Sequence, residues 1–532
     1  MPTPPATPRP TVPWWATAVI YQVYPRSFAD SDGDGIGDLA GIRSRLSHLE
    51  HLGVDAVWLS PFYRSPMRDF GYDVSDHCDV DPVFGSLEDF DALVVEAHDR
   101  GIRVLVDLVP NHTSDQHAWF LESRSSRHDP KRDWYVWRDP ASDGGPPNNW
   151  IAAFGAGPAW TFDPSTGQYY LHQFLPQQPD LNWANPDVVE AVHDIVRFWL
   201  DRRVDGFRID VAHGLGKDPD LGDDPPETGD TPHSELNDRP ETHQHLRGLR
   251  HLLDSYPGDR VMVGEVYLLD THLVAPYYGQ GDELHLAFNF PPLYTPWDAD
   301  EWATQIRTTT ALLEHIDAWP TWVLSNHDNP RHRTRYGGSE ARARASAVLL
   351  LGLRGTPFVY AGEELGLLDA DVPPEHVVDP GGRDGCRAPI PWTAEPDHGW
   401  PGGAWLPFPP DSESHAVTSE WADPRSTANL YRRLLATRRG SPALRQGSQR
   451  LLAGPDGVLG WERVAGDDQR LVVVNFLDRT VDLTGTELGD AAAGCSVDVS
   501  STSTGDTGPF AGRLAPLEGA WLSGAVGPIA PR

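Results

Sequence analysis

Lysine is nearly absent: among 532 residues only Lys131 and Lys217 occur, and arginine supplies the rest of the 43 basic side chains. Against them stand 77 Asp and Glu, for a formal net charge of −34 at pH 7. A field of that sign repels a phosphate backbone, which argues against nucleic acid as a partner and for a neutral or cationic ligand. The arginine bias is most simply GC-rich codon usage; adaptation to salt is the other reading of the acidity. Cysteine is equally scarce. Cys78, Cys386 and Cys495 stand far apart without CxxC spacing, which argues against a disulfide framework or a thiolate zinc site and for a reducing compartment. No stretch approaches the roughly 20 apolar residues of a membrane helix. The N-terminus, MPTPPATPRPTVP, has proline where a secretory signal has an apolar core. The expectation is a soluble cytoplasmic protein with no membrane partner and a disordered leader over residues 1–13.

What is abundant is the short apolar run. Eight recur from Trp14 onward: AVIYQVYP, VDAVWLSP, IRVLVDLVP, VDGFRIDV, RVMVGEV, LHLAFNF, TWVLSNHD and TPFVYAGEE. They lack strict alternation, as strands covered on both faces do, and the spacers are long enough for parallel crossovers. In PDVVEAVHDIVRFWLDR, Val188, Val192, Ile195, Val196 and Trp199 share one helical face just before the fourth run. These features predict an α/β fold, a (β/α)8 TIM barrel over residues 14–111 and 187–445. About 90 residues separate the third and fourth runs, too many for a loop, so 112–186 is read as an inserted subdomain. Short alternating runs such as QRLVVVNFLD predict a C-terminal antiparallel β domain over 446–532. The Pro/Gly/Asp-rich stretch LGKDPDLGDDPPETGDTP reads as a mobile loop at the barrel mouth.

Barrel active sites gather at the C-terminal ends of strands. There the chain has Asp107, Asn111 and His112 on the third run, Arg208 and Asp210 on the fourth, Glu265 on the fifth, and His327 and Asp328 on the seventh. One such acid is as well explained by capping or an ion pair; Asp210, Glu265 and Asp328 at equivalent ends are not. Converging acids raise one another's pKa, and Arg208 beside Asp210 favours one ionised and one protonated carboxyl, the pair that retaining glycoside hydrolysis uses.

The blocks DLVPNHT, GFRIDVAHG, GEV and SNHD, in that order, with QPDLNW in the insertion, resemble the α-amylase family of glycoside hydrolases, family 13. The resemblance spans nearly the whole chain and implies that Asp210 is the nucleophile, Glu265 the general acid/base and Asp328 the third acid, with His112, Arg208 and His327 around the terminal glucose. Asp107 reads as a buried support. QPDLNW resembles the oligo-1,6-glucosidase and α-glucosidase branch, which implies an exo-acting enzyme. In FGYD, Tyr72 would stack on the sugar and Asp73 grip its distal hydroxyls, with Arg387 of GGRDGCRAPIPW beside Asp73 and Phe174 lining the entrance. Val211 after the nucleophile resembles α-1,6-specific relatives, whereas Ala212-His213 departs from them, so maltose-type and isomaltose-type substrates stay open.

The loop DSDGDGIGD offers Asp30, Asp32, Asp34, the Ile36 carbonyl and Asp38, hard oxygen donors at calcium-loop spacing, without the position-twelve acid of an EF-hand. The resemblance implies a structural Ca2+, with Mg2+ as the alternative, and no organic cofactor. The leading expectation is a retaining exo-α-glucosidase releasing glucose from short α-glucosides. Two rivals are an α-transglucosylase passing glucose to a sugar or alcohol acceptor, and a non-catalytic binding subunit, which retention of all three acids disfavours.

Overall fold

The computed structural model describes residues 12–155, 157–224, 237–502 and 508–524. The predicted leader up to residue 11, and residues 225–236 of the loop expected at the barrel mouth, lie outside the described residues.

The eight apolar runs are eight parallel strands: β1 (Ile20–Val23), β2 (Ala56–Leu59), β3 (Arg103–Leu108), β4 (Gly206–Ile209), β5 (Val261–Gly264), β6 (Leu286–Ala287), β7 (Thr321–Val323) and β8 (Thr356–Tyr360). They form one sheet in the order β6-β5-β4-β3-β2-β1-β8-β7. Ile20 of β1 lies between Ala56 of β2 and Phe358 of β8. The seam between β6 and β7 is closed by a side chain: the Thr321 hydroxyl donates to Ala287 O at 2.7 Å and accepts from Asn289 N at 3.1 Å. Every residue of β1, β2, β4, β5 and β8 is buried, which is why these runs do not alternate in polarity. Neighbours along a strand still point opposite ways. Ile20, Trp58, Leu105, Val263 and Phe358 pack inside the barrel, and Tyr21, Val57, Val106 and Val359 pack under the helices.

The helical layer includes α1 (Leu87–Asp99), α2 (Pro186–Asp201), α3 (Pro240–Asp254), α4 (Ala299–His315) and α5 (Glu340–Gly352). Helix α2 starts where the Asn185 side chain accepts from Asp187 N and Pro186 takes the first turn, and it buries Val188, Val192, Ile195, Val196 and Trp199. Between β3 and α2, strands Trp137–Arg138, Gln168–Leu171 and Trp160–Asp163 pair antiparallel around a small core containing Trp150, Trp160 and Leu171. Helices α6 (Thr427–Gly440) and α7 (Pro442–Gln446) lead into an antiparallel sheet of β9 (Ser448–Leu452), β10 (Val458–Ala465), β11 (Asp468–Asn475), β12 (Ser496–Ser500) and β13 (Gly519–Ser523), ordered β9-β10-β11-β13-β12. Among the described residues no helix is long and apolar enough to cross a membrane.

Candidate active site

Past the strand ends the parallel ladder continues for one more step: Asp210 N donates to Leu108 O and Glu265 N to Ile209 O, both at 2.8 Å. This extension sets Asp210 and Glu265 side by side. Arg208, facing inward from β4, donates from Nη1 to Asp210 Oδ1 at 2.6 Å and to Asp107 Oδ1 at 2.7 Å, and its Nη2 forms an ion pair with Glu265 Oε2 at 2.8 Å. One buried guanidinium therefore organises three carboxylates. The next residue, Val211, has φ 45°, a left-handed conformation that is strained for a β-branched side chain. The same turn presents Val211 N to Glu265 Oε2 at 3.0 Å. Burial raises the pKa of Asp210 well above the usual range; Arg208 opposes this, and Glu265 and Asp107 add to it. Arg208, at 2.6 Å, is the neighbour that favours the ionised form of Asp210.

Asp328 lies beyond β7. Burial by itself would raise its pKa, yet its surroundings hold it below the usual range: His327 Nε2 is 3.3 Å from Oδ2, and Arg383 and Arg387 donate to Oδ1 at 2.9 and 3.1 Å. Burial pushes His327 itself down to about 3, so at neutral pH the arginines keep Asp328 ionised. Tyr72 stacks on His327 at a ring separation of 5.4 Å and bonds its Nε2 at 2.6 Å. His112, neutral because burial lowers its pKa, contacts Tyr72 O at 3.2 Å, and its ring lies 5.2 Å from Phe174. Asp107 is fully buried and also accepts from Trp58 Nε1 at 3.0 Å, a support behind the cavity.

These groups surround a cavity of about 350 Å³. Asp210, Glu265, Asp328, Tyr72, His112 and Phe174 line it, and Arg208 and His327 stand directly behind. The expected pairing of Asp73 with Arg387 is corrected. Asp73 is 0% exposed and turned beneath its own loop, accepting from Ser65 Oγ at 2.8 Å, Arg68 N at 2.9 Å and Asp69 N at 3.0 Å. Arg387 is also 0% exposed and spends its donors on His327 O, Asp379 and Asp328. The residues that do line the wall are their neighbours. Asp69 Oδ1 accepts from Arg383 Nη2 at 2.6 Å, and Arg383 reaches on to Asp328. Both stand in segments singled out from the sequence, but no periodicity marks which acid or arginine faces inward. Also unforeseen were the aromatic groups at the rim, Phe154, Tyr267, Phe290 and Tyr294. The hydroxyls of Tyr267 and Tyr294 are 2.8 Å apart.

Of the five expected metal ligands, Asp30, Asp32 and Asp38 bring carboxylate oxygens within 4.8 Å of one another. Asp34 is outside that cluster, its carboxylate accepting from Ile36 N at 2.8 Å.

A barrel with clustered carboxyls at its strand ends is the architecture of glycoside-cleaving enzymes. Residues 22–447 match the family model for the α-amylase catalytic domain, and the chain belongs to the α-amylase family of glycoside hydrolases. It is 44% identical over 500 residues to a probable α-glucosidase of Rhizobium meliloti, covering 87% of this chain and 90% of that one. It is 37% identical to an oligo-1,6-glucosidase of Parageobacillus thermoglucosidasius, covering 88% and 91%. Among solved structures, an α-glucosyl transfer enzyme, XgtA, superposes with a TM-score of 0.89 at 42% identity, covering 96% of this chain and 99% of that one.

Proposed function

We propose that this enzyme is a retaining, exo-acting α-glucosidase that releases glucose from the non-reducing end of short α-glucosides of the maltose type. The observation that carries the proposal is the ion-paired wall Asp69–Arg383–Asp328 beside the Asp210–Glu265 pair, in a cavity at the small end of ligand sites. Such a wall suits the hydroxyls of one terminal ring rather than a chain running through.

In the first step the Asp210 carboxylate attacks the anomeric carbon while Glu265 passes its proton to the departing glycosidic oxygen, giving a β-glucosyl ester on Asp210. Arg208, within ion-pair distance of both carboxyls, offsets the negative charge that builds on Glu265 as it loses its proton. In the second step Glu265 takes a proton from water, the oxygen attacks the same carbon, and the ester bond breaks to free Asp210 and α-glucose. Asp328, kept ionised, accepts hydrogen bonds from sugar hydroxyls and favours the distorted, oxocarbenium-like ring.

Glucosyl transfer is a second reading. Tyr267, Tyr294 and Phe290 make an aromatic shelf beside Glu265 on which an acceptor alcohol can displace water, and the likeness to XgtA supports it. Val211 and the similarity to an oligo-1,6-glucosidase point to isomaltose-type linkages, whereas Ala212-His213 and the higher identity to a probable α-glucosidase support the maltose type. Glucose release from maltose and isomaltose, compared with an Asp210→Asn blank and with transfer products quantified at high substrate, separates these cases. Undiminished turnover by Asp210→Asn removes the assigned nucleophile.

The structural Ca2+ or Mg2+ implied for Asp30, Asp32, Asp34, Ile36 and Asp38 would, when bound, tie down the loop after β1; the closeness of the Asp30, Asp32 and Asp38 carboxylates is compatible with it. No step of cleavage passes through it. A cytoplasmic location is supported by the three unpaired cysteines.

A further inference from the structure

At the opposite end of the barrel from the sugar cavity, a second cavity of about 210 Å³ lies between the segments entering β1 and β2 and helices α6 and α7. Thr17, Asp55, Arg438, Arg439 and Arg445 line it. In a chain with so large an excess of acid, three arginines here share one carboxylate. Asp55 is already committed: Oδ2 accepts from Val19 N at 2.9 Å and Oδ1 from Arg439 Nη2 at 3.0 Å. Arg445 donates from Nη2 to Thr17 Oγ1 at 2.9 Å, and no described carboxylate lies within salt-bridge distance of it. Arg438 is 1% exposed. Its Nη1 donates to Leu351 O and Leu444 O, both at 2.7 Å, and its Nη2 to Gly355 O at 2.8 Å.

The carbonyls at the end of α5 and in α7 offset part of the Arg438 charge. They do not exhaust its donors: the buried Nε–H has no acceptor. Burial lowers the Arg438 pKa to about 10, with Asp55 opposing and Arg445 adding to the drop. Arg463, outside the cavity lining, is also buried, and its guanidinium is satisfied by backbone carbonyls alone, Gly352 O, Ser448 O and Gly447 O. Arg438 is a buried cation whose hydrogen bonds go to neutral carbonyls, with a donor left over and a cavity beside it, a setting that an anion would complete.

We infer that this cavity binds a small phosphate-bearing anion, either the free ion or the phosphoryl group of a sugar phosphate. Guanidinium groups present paired N–H donors that match phosphate oxygens. The volume exceeds what a halide fills and leaves room for a substituent on the phosphoryl group. The site is remote from Asp210 and Glu265, so its occupant binds without entering the cleavage reaction.

The test is calorimetric titration of the intact protein with inorganic phosphate and, separately, with glucose 6-phosphate, at constant ionic strength in chloride. Saturable binding of at least one is expected, weakened about ten-fold or more in Arg445→Gln, the loss of one charge-assisted contact. The kcat/KM on maltose of that variant stays at the wild-type value. Arg439→Gln, at a half-exposed side chain, supplies the same comparison if Arg445→Gln does not fold. Equal affinity for both ligands assigns the free ion as sufficient, and binding of glucose 6-phosphate alone assigns the sugar phosphate. Absence of binding by either ligand, or binding that both variants leave unchanged, overturns the inference.

Discussion

Asp69 and Asp73 are four residues apart in one loop, and the structure assigns them opposite fates, so alanine at each position separates function from folding. Asp69 lines the sugar cavity and is paired with Arg383 at 2.6 Å. If its carboxylate grips a glucose hydroxyl in the transition state, Asp69→Ala forfeits a hydrogen bond to a charged group, about 1.5–3 kcal/mol, or about 10- to 150-fold in kcat/KM. Its unfolding temperature falls by less than that of Asp73→Ala, because Arg383 keeps Asp328 and Asp379, and Gln178 Nε2 keeps His112, as partners when the Asp69 carboxylate is removed. Asp73→Ala instead strands the donors of Ser65, Arg68 and Asp69, each worth about 1–3 kcal/mol when left unpaired in a buried site. Part of that cost is offset at neutral pH. Burial raises the Asp73 pKa to about 6 from 3.8, so holding it ionised already costs the wild type about 3 kcal/mol. The net loss at pH 7 is then about 0–6 kcal/mol, centred near 3. A raised carboxyl contributes its stability in full below 3.8 and loses it as pH rises through about 6. The stability gap between wild type and Asp73→Ala is therefore wider at pH 5 than at pH 7.5. Thermal unfolding at the two pH values and kcat/KM for maltose provide the assay. An Asp73→Ala protein of normal stability with ruined kcat/KM, or an Asp69→Ala protein of normal kcat/KM, would refute the reasoning.

Glu265→Gln is expected to lose about 10²- to 10⁴-fold on maltose and far less on a nitrophenyl α-glucoside, whose leaving group needs no proton; equal losses on both would remove Glu265 as the acid. Burial pushes Glu363 up to about 8 from 4.5, so folding loses stability as pH rises between those values. Glu363→Gln should flatten the fall in unfolding temperature between pH 5 and 8.5, and parallel curves for the two proteins would contradict this. Chelator treatment is expected to lower the unfolding temperature while leaving kcat on maltose unchanged in the protein that remains folded, the pattern of a structural ion at Asp30, Asp32 and Asp38. No shift on chelation, in protein purified without chelator, would speak against an ion there.

The chain's apolar runs by themselves announced the barrel, because strands covered on both faces need no polar face and eight of them with long crossovers have few other ways to pack. The three acids were legible for a related reason: a charged residue closing an apolar strand lands at one end of the barrel whatever the loops do. Loop interiors follow a different rule. Phe70 and Gly71, at φ 47° and 113°, reverse the chain so that Asp73 folds back under Arg68 and Asp69 while Asp69 faces the sugar cavity. A tight turn over Asp384–Arg387 likewise buries Arg387 behind Asp328 and leaves Arg383 at the wall. Both choices are made by backbone turns and by which donors lie nearby in space, neither of which has a period in the sequence. The arginine-lined cavity at the far end belongs to the same class. Its side chains come from Thr17, Asp55 and the run from Arg438 to Arg445, nearly the full length of the barrel apart in the chain, and only closure of the sheet brings those charges together.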